Sequence, residues 1–203
     1  MKIICIGRNY VDHIAELKNE TPDEPVVFLK PDTAFQKNGQ DVYIPEFTQD
    51  LHYEAEIVLR INKIGKHIDE KFARRYFDAI TIGIDFTARD LQNKLKAKGL
   101  PWEKAKAFDF SAVCGDLVPA DEYADMDNIN FNLDINGTTV QKGNTALVMY
   151  NFNKIIAHVS KYFTLKKGDL IFTGTPAGVG PVKIGDKLEG FIEGKKLLGF
   201  DVK

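Results

Sequence analysis

Residues 51–61 alternate without a slip: Leu51, Tyr53, Ala55, Ile57, Leu59 and Ile61 fall on one side, His52, Glu54, Glu56, Val58 and Arg60 on the other. A period of two belongs to a strand and not to a helix, so the run predicts a half-buried β-strand. It also places Glu54 and Glu56 on a shared face, with Cβ atoms roughly 6.5 to 7 Å apart. Carboxylates so spaced can converge on one hard cation. A solvated strand face shows the same spacing, so the pair alone leaves both readings open.

The rest of the chain is rich in short strand signals. Residues 2–6 read as a strand, broken at Gly7-Arg8-Asn9-Tyr10, with one or two helical turns over 11–17 and a polar loop over 19–25. Residues 26–29 return as a strand, and 69–77 read as a helix. An apolar strand over 79–86 leads into a helix for which Thr87 and Asp90 form a capping box, stopped by Gly99 and Pro101. Asn136-Gly137 is a hairpin turn between 130–135 and 138–141. Phe152, Ile155, Ile156, Val159 and Phe163 mark one amphipathic helix over 147–163. Strands are expected at 169–173, 187–192 and 196–202. Many short strands with few helices predict an α+β fold: a single domain over 1–203 with a mixed, strongly curved β-sheet and helices packed outside.

A chain of 203 residues suffices for one sizeable core. Its formal net charge of -2 argues against a nucleic-acid partner. The absence of single-sign runs argues against a membrane-surface patch. Cys5 and Cys114 stand far apart, which fits a reducing compartment and no disulfide scaffold. The apolar opening stops at Gly7-Arg8, short of a signal peptide, and no later stretch is long enough to span a bilayer. A cytoplasmic protein is expected, or one of an organelle matrix.

Asp85 ends the strand of Ile80, Ile82 and Ile84 just before a helix. Buried carboxylates are rare unless paired or metal-bound. Helix capping is the other reading, although Thr87 already offers itself as the cap. Three carboxylates without a His or Cys cluster favour Mg²⁺ or Mn²⁺ over zinc. His13 and Glu16, three apart on a helical turn, share a face. A carboxylate there would fix the imidazole tautomer and raise its basicity, as a general base requires; an exposed surface pair has the same spacing. Arg89 and Gln92, also three apart, and Lys106 after Pro101-Trp102 are cationic and amide donors suited to a carboxylate or a developing enolate, though each alone also suits a surface. The loop 173–181 is glycine-rich, but its spacing is G-x-x-x-G-x-G, its prolines stand where a helix should begin, and no Gly-Lys-Ser/Thr appears. No nucleotide is therefore expected. The loop's backbone N–H groups and the Thr175 hydroxyl remain suited to an anion.

Six ordered segments carry a resemblance: Gly7-Arg8-Asn9-Tyr10-x-x-His13-x-x-Glu16, Phe28-Leu29-Lys30-Pro31, His52-Tyr53-Glu54-Ala55-Glu56, Asp85-Phe86-Thr87-Ala88-Arg89-Asp90-x-Gln92, Gly99-Leu100-Pro101-Trp102-x-x-x-Lys106 and Gly174-Thr175-Pro176-x-Gly178-Val179-Gly180-Pro181. Over essentially the whole chain they resemble the fumarylacetoacetate hydrolase family, in its short branch of acylpyruvate hydrolases and oxaloacetate decarboxylases. The resemblance implies Mg²⁺ or Mn²⁺ on Glu54, Glu56 and Asp85, a His13–Glu16 dyad on a mobile lid, and Lys106 as the catalytic lysine. It implies Arg8, Lys30, Arg89, Gln92 and Thr175 as substrate-binding residues, and a homodimer built on a mixed β-roll. The implied reaction is hydrolysis of the C–C bond of an acylpyruvate, with His13 activating water and a metal-bound enolate leaving as pyruvate. Oxaloacetate decarboxylation, oxaloacetate tautomerisation and 2-hydroxydienedioate isomerisation are alternatives on the same site, and a non-catalytic metal- or carboxylate-binding protein is a further one. Asp32 and the segment 109–114 depart from the family pattern, which leaves substrate choice open.

Overall fold

The computed structural model describes residues 1–16 and 21–203, and for Ile14 and Ala15 the backbone alone. Leu17, expected to end the first helix, and residues 19–20 of the expected polar loop lie outside the described residues.

Strands β1 (Ile3–Gly7), β2 (Val26–Lys30) and β3 (Phe35–Lys37) open the chain, with helix α1 (Val11–Glu16) between the first two. Strands β4 (Leu51–Tyr53), β5 (Ala55–Ile61), β6 (Phe77–Asp85) and β7 (Thr87–Ala88) come next, then helices α2 (Arg89–Ala97) and α3 (Glu103–Lys106). Strands β8 (Ala112–Cys114), β9 (Val118–Pro119), β10 (Asn130–Ile135) and β11 (Thr138–Asn144) precede α4 (Phe152–Tyr162). The chain closes through β12 (Leu170–Phe172), β13 (Gly180–Pro181), β14 (Lys187–Ile192) and β15 (Lys195–Asp201).

The main sheet runs β2-β1-β12-β5-β6-β8-β3, with β9 also paired to β6. It is mixed, since β1 lies parallel to β12 and antiparallel to β2. A second sheet runs β11-β10-β14-β15 and a third β13-β4-β7. Ladder slips at Arg60/Ile61, Leu133/Asp134 and Gly190/Phe191 bend and twist the strands locally. The result is the expected mixed, strongly curled sheet with few helices. No helix among the described residues is long and apolar enough to cross a membrane.

The alternating run differs from expectation in two ways. It is not one strand: Glu54 separates β4 from β5, which belong to different sheets. Nor is β5 half-buried. Ala55, Ile57, Leu59 and Ile61 enter the main core, while Val58, on the opposite face, packs with Ile3, Cys5, Ala112 and Phe172 in a second cluster. Burying each large aliphatic side chain stabilises the fold by roughly 1.5–3 kcal/mol, so both faces anchor this strand.

Three helix expectations are also corrected. Residues Glu70–Tyr76 form 3-10 turns, opened by Asp69 accepting from the Lys71 amide, whose tighter period sets Ala73 and Tyr76 together against the core. The long helix starts only at Phe152, where the Asn151 side chain caps it through the Lys154 amide. Before it, Val148 bridges to Tyr10 and the Tyr150 amide bonds Asn9, so the apolar residues there serve loop pairing. Thr87 does not cap α2: it pairs with β4 as part of β7, and Asp90 accepts instead from Thr48 and the Gln49 amide.

Candidate active site

The strand break brings the acids together. Glu54 is excused from the ladders, and its carbonyl accepts the Asp85 amide at 2.8 Å. Glu56 lies opposite Gly83 across β5 and β6, where a Cβ would come within 2.9 Å of Val58, Phe172 and the Val113 carbonyl. The main chain can therefore close up behind the site only with glycine there. Oxygen atoms of Glu54, Glu56 and Asp85 lie within 4.8 Å of one another, and all three residues are buried.

Cations surround them unevenly. The Lys106 ammonium donates to Glu54 at 2.7 Å and to Asp85 at 2.8 Å. Arg89 donates to Glu54 at 2.5 Å and to the Gln92 side chain at 2.7 Å. Glu56 has the Gly174 amide, at 2.6 Å. The consequences follow Coulomb's law in a poorly solvated setting. Burial favours the neutral acid at Glu54, but Lys106, Arg89 and His13 outweigh it and hold the carboxyl below its usual range. At Glu56 burial dominates, the charges of Asp85 and Glu54 add to it, and the carboxyl is pushed well above its usual range. Burial would lower Lys106, yet Asp85 and Glu54 raise it above the ordinary ammonium value.

A divalent cation suits this donor set. Hard carboxylate oxygens are what Mg²⁺ and Mn²⁺ prefer, and ligands at about 2.1 Å place opposite donors about 4.2 Å apart. Adjacent donors would stand about 3.0 Å apart, so the three acids, which already lie within 4.8 Å of one another, would draw together around an ion. Lys30 pairs with Asp85 Oδ1 at 2.7 Å, and a carboxylate oxygen so engaged still keeps a lone pair to give. Glu56, whose charge is the least compensated, gains most from added positive charge.

The pocket over the acids gathers most of the other expected residues: Arg8, His13, Arg89, Gln92, Lys106 and Thr175. His13 Nδ1 lies 3.2 Å from Glu16, and Glu16 accepts from the Gly178 amide at 3.1 Å. The glycine-rich loop thus braces the dyad. Thr175 sits in the wall with its hydroxyl engaged, donating to the Ala55 carbonyl at 2.9 Å and accepting from Gln141 at 2.9 Å. Lys30 is the exception. It is fully buried behind the acids, donating to the carbonyls of Lys106 and Ser111 and to the Ser111 hydroxyl. Its role is to support Asp85 and Lys106, since its ammonium has no open side for a substrate.

Two buried amides escaped sequence reasoning. Asn9 donates to the carbonyls of Tyr150 and Thr173 and accepts from the Tyr150 amide, tying the turn after β1 to the loop after β12. Gln141 accepts from the Ala55 amide and donates to Thr175 and the Pro176 carbonyl. Asn9 stood inside a quoted motif, which was a signal; Gln141 had none.

Known proteins resemble this chain over nearly its whole length. Residues 2–200 match the family model described as fumarylacetoacetate (FAA) hydrolase, C-terminal. The chain is 41% identical over 201 residues to the mitochondrial oxaloacetate tautomerase FAHD1 of Bos taurus, covering 99% of this chain and 91% of that one. It is 40% identical over 194 residues to the mitochondrial oxaloacetate decarboxylase of Dictyostelium discoideum, covering 95% and 89%. Its fold is similar to that of the fumarylpyruvate hydrolase from Pseudomonas aeruginosa solved with Mn²⁺ and pyruvate. That match has a TM-score of 0.94 and 34% identity, over 100% of this chain and 89% of the other.

Proposed function

This chain belongs to the fumarylacetoacetate hydrolase family, and on that premise we propose that it interconverts the enol and keto forms of oxaloacetate as a divalent-metal enzyme. The reading differs from the acylpyruvate hydrolysis expected first. What supports it is the likeness to an oxaloacetate tautomerase over nearly the full length of both chains. The observation that carries it is the meeting of a braced imidazole and an ammonium over three acids in one pocket. Those groups suffice to move a proton beside a carbonyl without any attacking water.

A divalent cation held by Glu54, Glu56 and Asp85 would supply Lewis acidity toward the substrate's keto and carboxylate oxygens. Lys106 holds its proton firmly and places positive charge where negative charge develops on the former keto oxygen. Glu16, fixed by the Gly178 amide, orients His13 through Nδ1 and leaves Nε2 as the nitrogen that carries the proton. Arg89 and Gln92 donate to the carboxylate of the 2-oxo acid end. We further propose a homodimer in the cytosol or an organelle matrix, in keeping with two buried, unbridged thiols.

Enolic oxaloacetate delivered from an aprotic solvent loses its ultraviolet absorbance as it ketonises. With Mg²⁺ the enzyme is expected to speed that loss at least about a hundredfold, a typical yield of positioned acid–base groups. A rate equal to buffer sinks the proposal. Hydrolysis is the second reading, favoured by the His13–Glu16 contact, a pairing suited to activating water. Release of acetate and pyruvate from acetylpyruvate, with no effect on oxaloacetate, would establish it instead.

A further inference from the structure

The loop after β12 serves both halves of the site. Its Gly174 amide donates to Glu56 at 2.6 Å, and its Gly178 amide donates to Glu16 at 3.1 Å. One short segment thus sets an acid of the triad and the acid that orients His13. Both glycines lie in left-handed backbone, with φ +104° and +97°. Glycine has the widest conformational freedom of any residue, so donors placed this closely need fixing from outside the loop.

Gln141 supplies that fixing. It is 1% exposed and stands on β11, in a different sheet from β5 and β12. Its side-chain oxygen accepts the Ala55 amide at 2.9 Å, between Glu54 and Glu56. Its nitrogen donates to the Thr175 hydroxyl at 2.9 Å and to the Pro176 carbonyl at 3.0 Å. Thr175 donates in turn to the Ala55 carbonyl at 2.9 Å. Both backbone groups of Ala55 and the middle of the loop are thereby joined through one buried amide. The strand is shaped to deliver it. Leu133 faces Gln141 while Asp134 faces Thr139, so Val140 is the extra residue of a bulge, a device that re-aims neighbouring side chains. The loop rests on the same bulge, since a Cβ at Gly178 would lie 2.5 Å from the Val140 carbonyl.

We infer that Gln141 is a positioning residue: it locks the Glu54–Glu56 segment and the 174–178 loop in one register and so places the donors to Glu56 and Glu16 together. Its effect on rate rests on the proposed function, whereas its effect on the ion rests on the acid triad alone. Removing it displaces both donors at once. Arg89, Gln92 and Lys106 are carried by α2 and α3, so the groups proposed to bind substrate keep their supports.

Gln141→Met keeps the length of the side chain and removes its hydrogen bonds. Gln141→Asn keeps the amide but shortens its reach, and carries the test if the first variant does not fold. Each is compared with the wild type, below its melting temperature, by calorimetric Mg²⁺ titration and by enol ketonisation at saturating Mg²⁺. The Mg²⁺ Kd is expected to rise at least about tenfold, the usual cost of losing a partner behind a metal ligand. With Mg²⁺ saturating, kcat should fall about ten- to a hundredfold while KM stays within about twofold, because a misplaced proton-transfer group costs rate and not binding. In a His13→Ala background the same substitution should cost less than about twofold in kcat, since its effect runs through the imidazole. Unchanged Mg²⁺ affinity overturns the inference, as does a loss in kcat equally large with and without His13. A wild type that binds Mg²⁺ but leaves the enol at the buffer rate sinks the tautomerase reading alone, and the Mg²⁺ titration then decides on Gln141.

Discussion

The Gly174 amide donates to Glu56 at 2.6 Å from a backbone with φ +104°. A Cβ at this position would lie 2.7 Å from the Asn9 Cβ, so the loop after β12 reaches the acid only because the residue is glycine. Gly174→Ala is expected to cost about 1–3 kcal/mol through strain. It should also weaken Mg²⁺ binding, because Glu56 loses its donor. Thermal melts with and without Mg²⁺ check both; an unaltered melt would contradict the packing described here.

Glu56→Gln should separate fold from function. The amide keeps an acceptor for Gly174 but removes a carboxyl whose ionisation is opposed by burial and by the charges of Asp85 and Glu54. The metal-free variant is expected to melt higher, by about 2–4 °C for each kcal/mol in a domain of this size. Mg²⁺ at a hundred times its Kd stabilises a binding protein by about 2.7 kcal/mol, and the variant should show none of that rise. A lower metal-free melt would refute the repulsion argued for the triad.

His13→Ala is expected to slow oxaloacetate ketonisation by about 10²–10⁴-fold, with the Mg²⁺-induced rise in melting temperature intact. Glu16→Gln should fall between wild type and His13→Ala, because the Gly178 amide still holds the side chain. Steady-state rates paired with melts decide this; full turnover by His13→Ala removes the imidazole from the mechanism.

The outer surface supplies a prediction about assembly. Tyr43, Phe47 and Phe110 are 71%, 54% and 60% exposed, and they line one broad apolar groove. Exposed aromatics gathered in this way mark interaction sites. Sedimentation of the wild type should give a dimer, and Phe47→Glu with Phe110→Glu should give a monomer. A wild-type monomer would end the dimer proposal.

Burial pushes the Cys114 thiol up to about 12 and raises Cys5 as well. Between the ordinary value of 9.0 and about 12, the unfolded chain releases a Cys114 proton that the fold retains. Stability from this group is therefore complete below pH 9 and falls as pH rises through that window. Alkaline melts of Cys114→Ala should show a shallower decline than the wild type. At pH 8 neither thiol should react with a thiol reagent until denaturant is added.

The sequence carried the acids well and their surroundings poorly. Alternation put Glu54 and Glu56 on one face, and an apolar run ending at Asp85 marked a buried strand end. The break at Glu54 left no trace because period two continues through it; the separation lies in pairing to distant strands, β7 and β13 on one side, β6 and β12 on the other. The Thr87 capping box was a fair local pattern overridden by β4. Lys30 was illegible for another reason: a lysine enters a core only when carbonyls far along the chain surround it, here those of Lys106 and Ser111. Gln141, whose partners are Ala55, Thr175 and Pro176, was hidden in the same way.

The acids belong to the β5 and β6 neighbourhood, where both sheet faces are packed, whereas Arg8, His13 and Lys96 hang from a turn and from helices at the periphery. The acids are thus cast into the stiffest part of the molecule, while the imidazole and the outer cations are carried by attachments around it. An engineer seeking a new substrate can randomise Arg8 and Lys96, keep His13, and expect most library members still to fold.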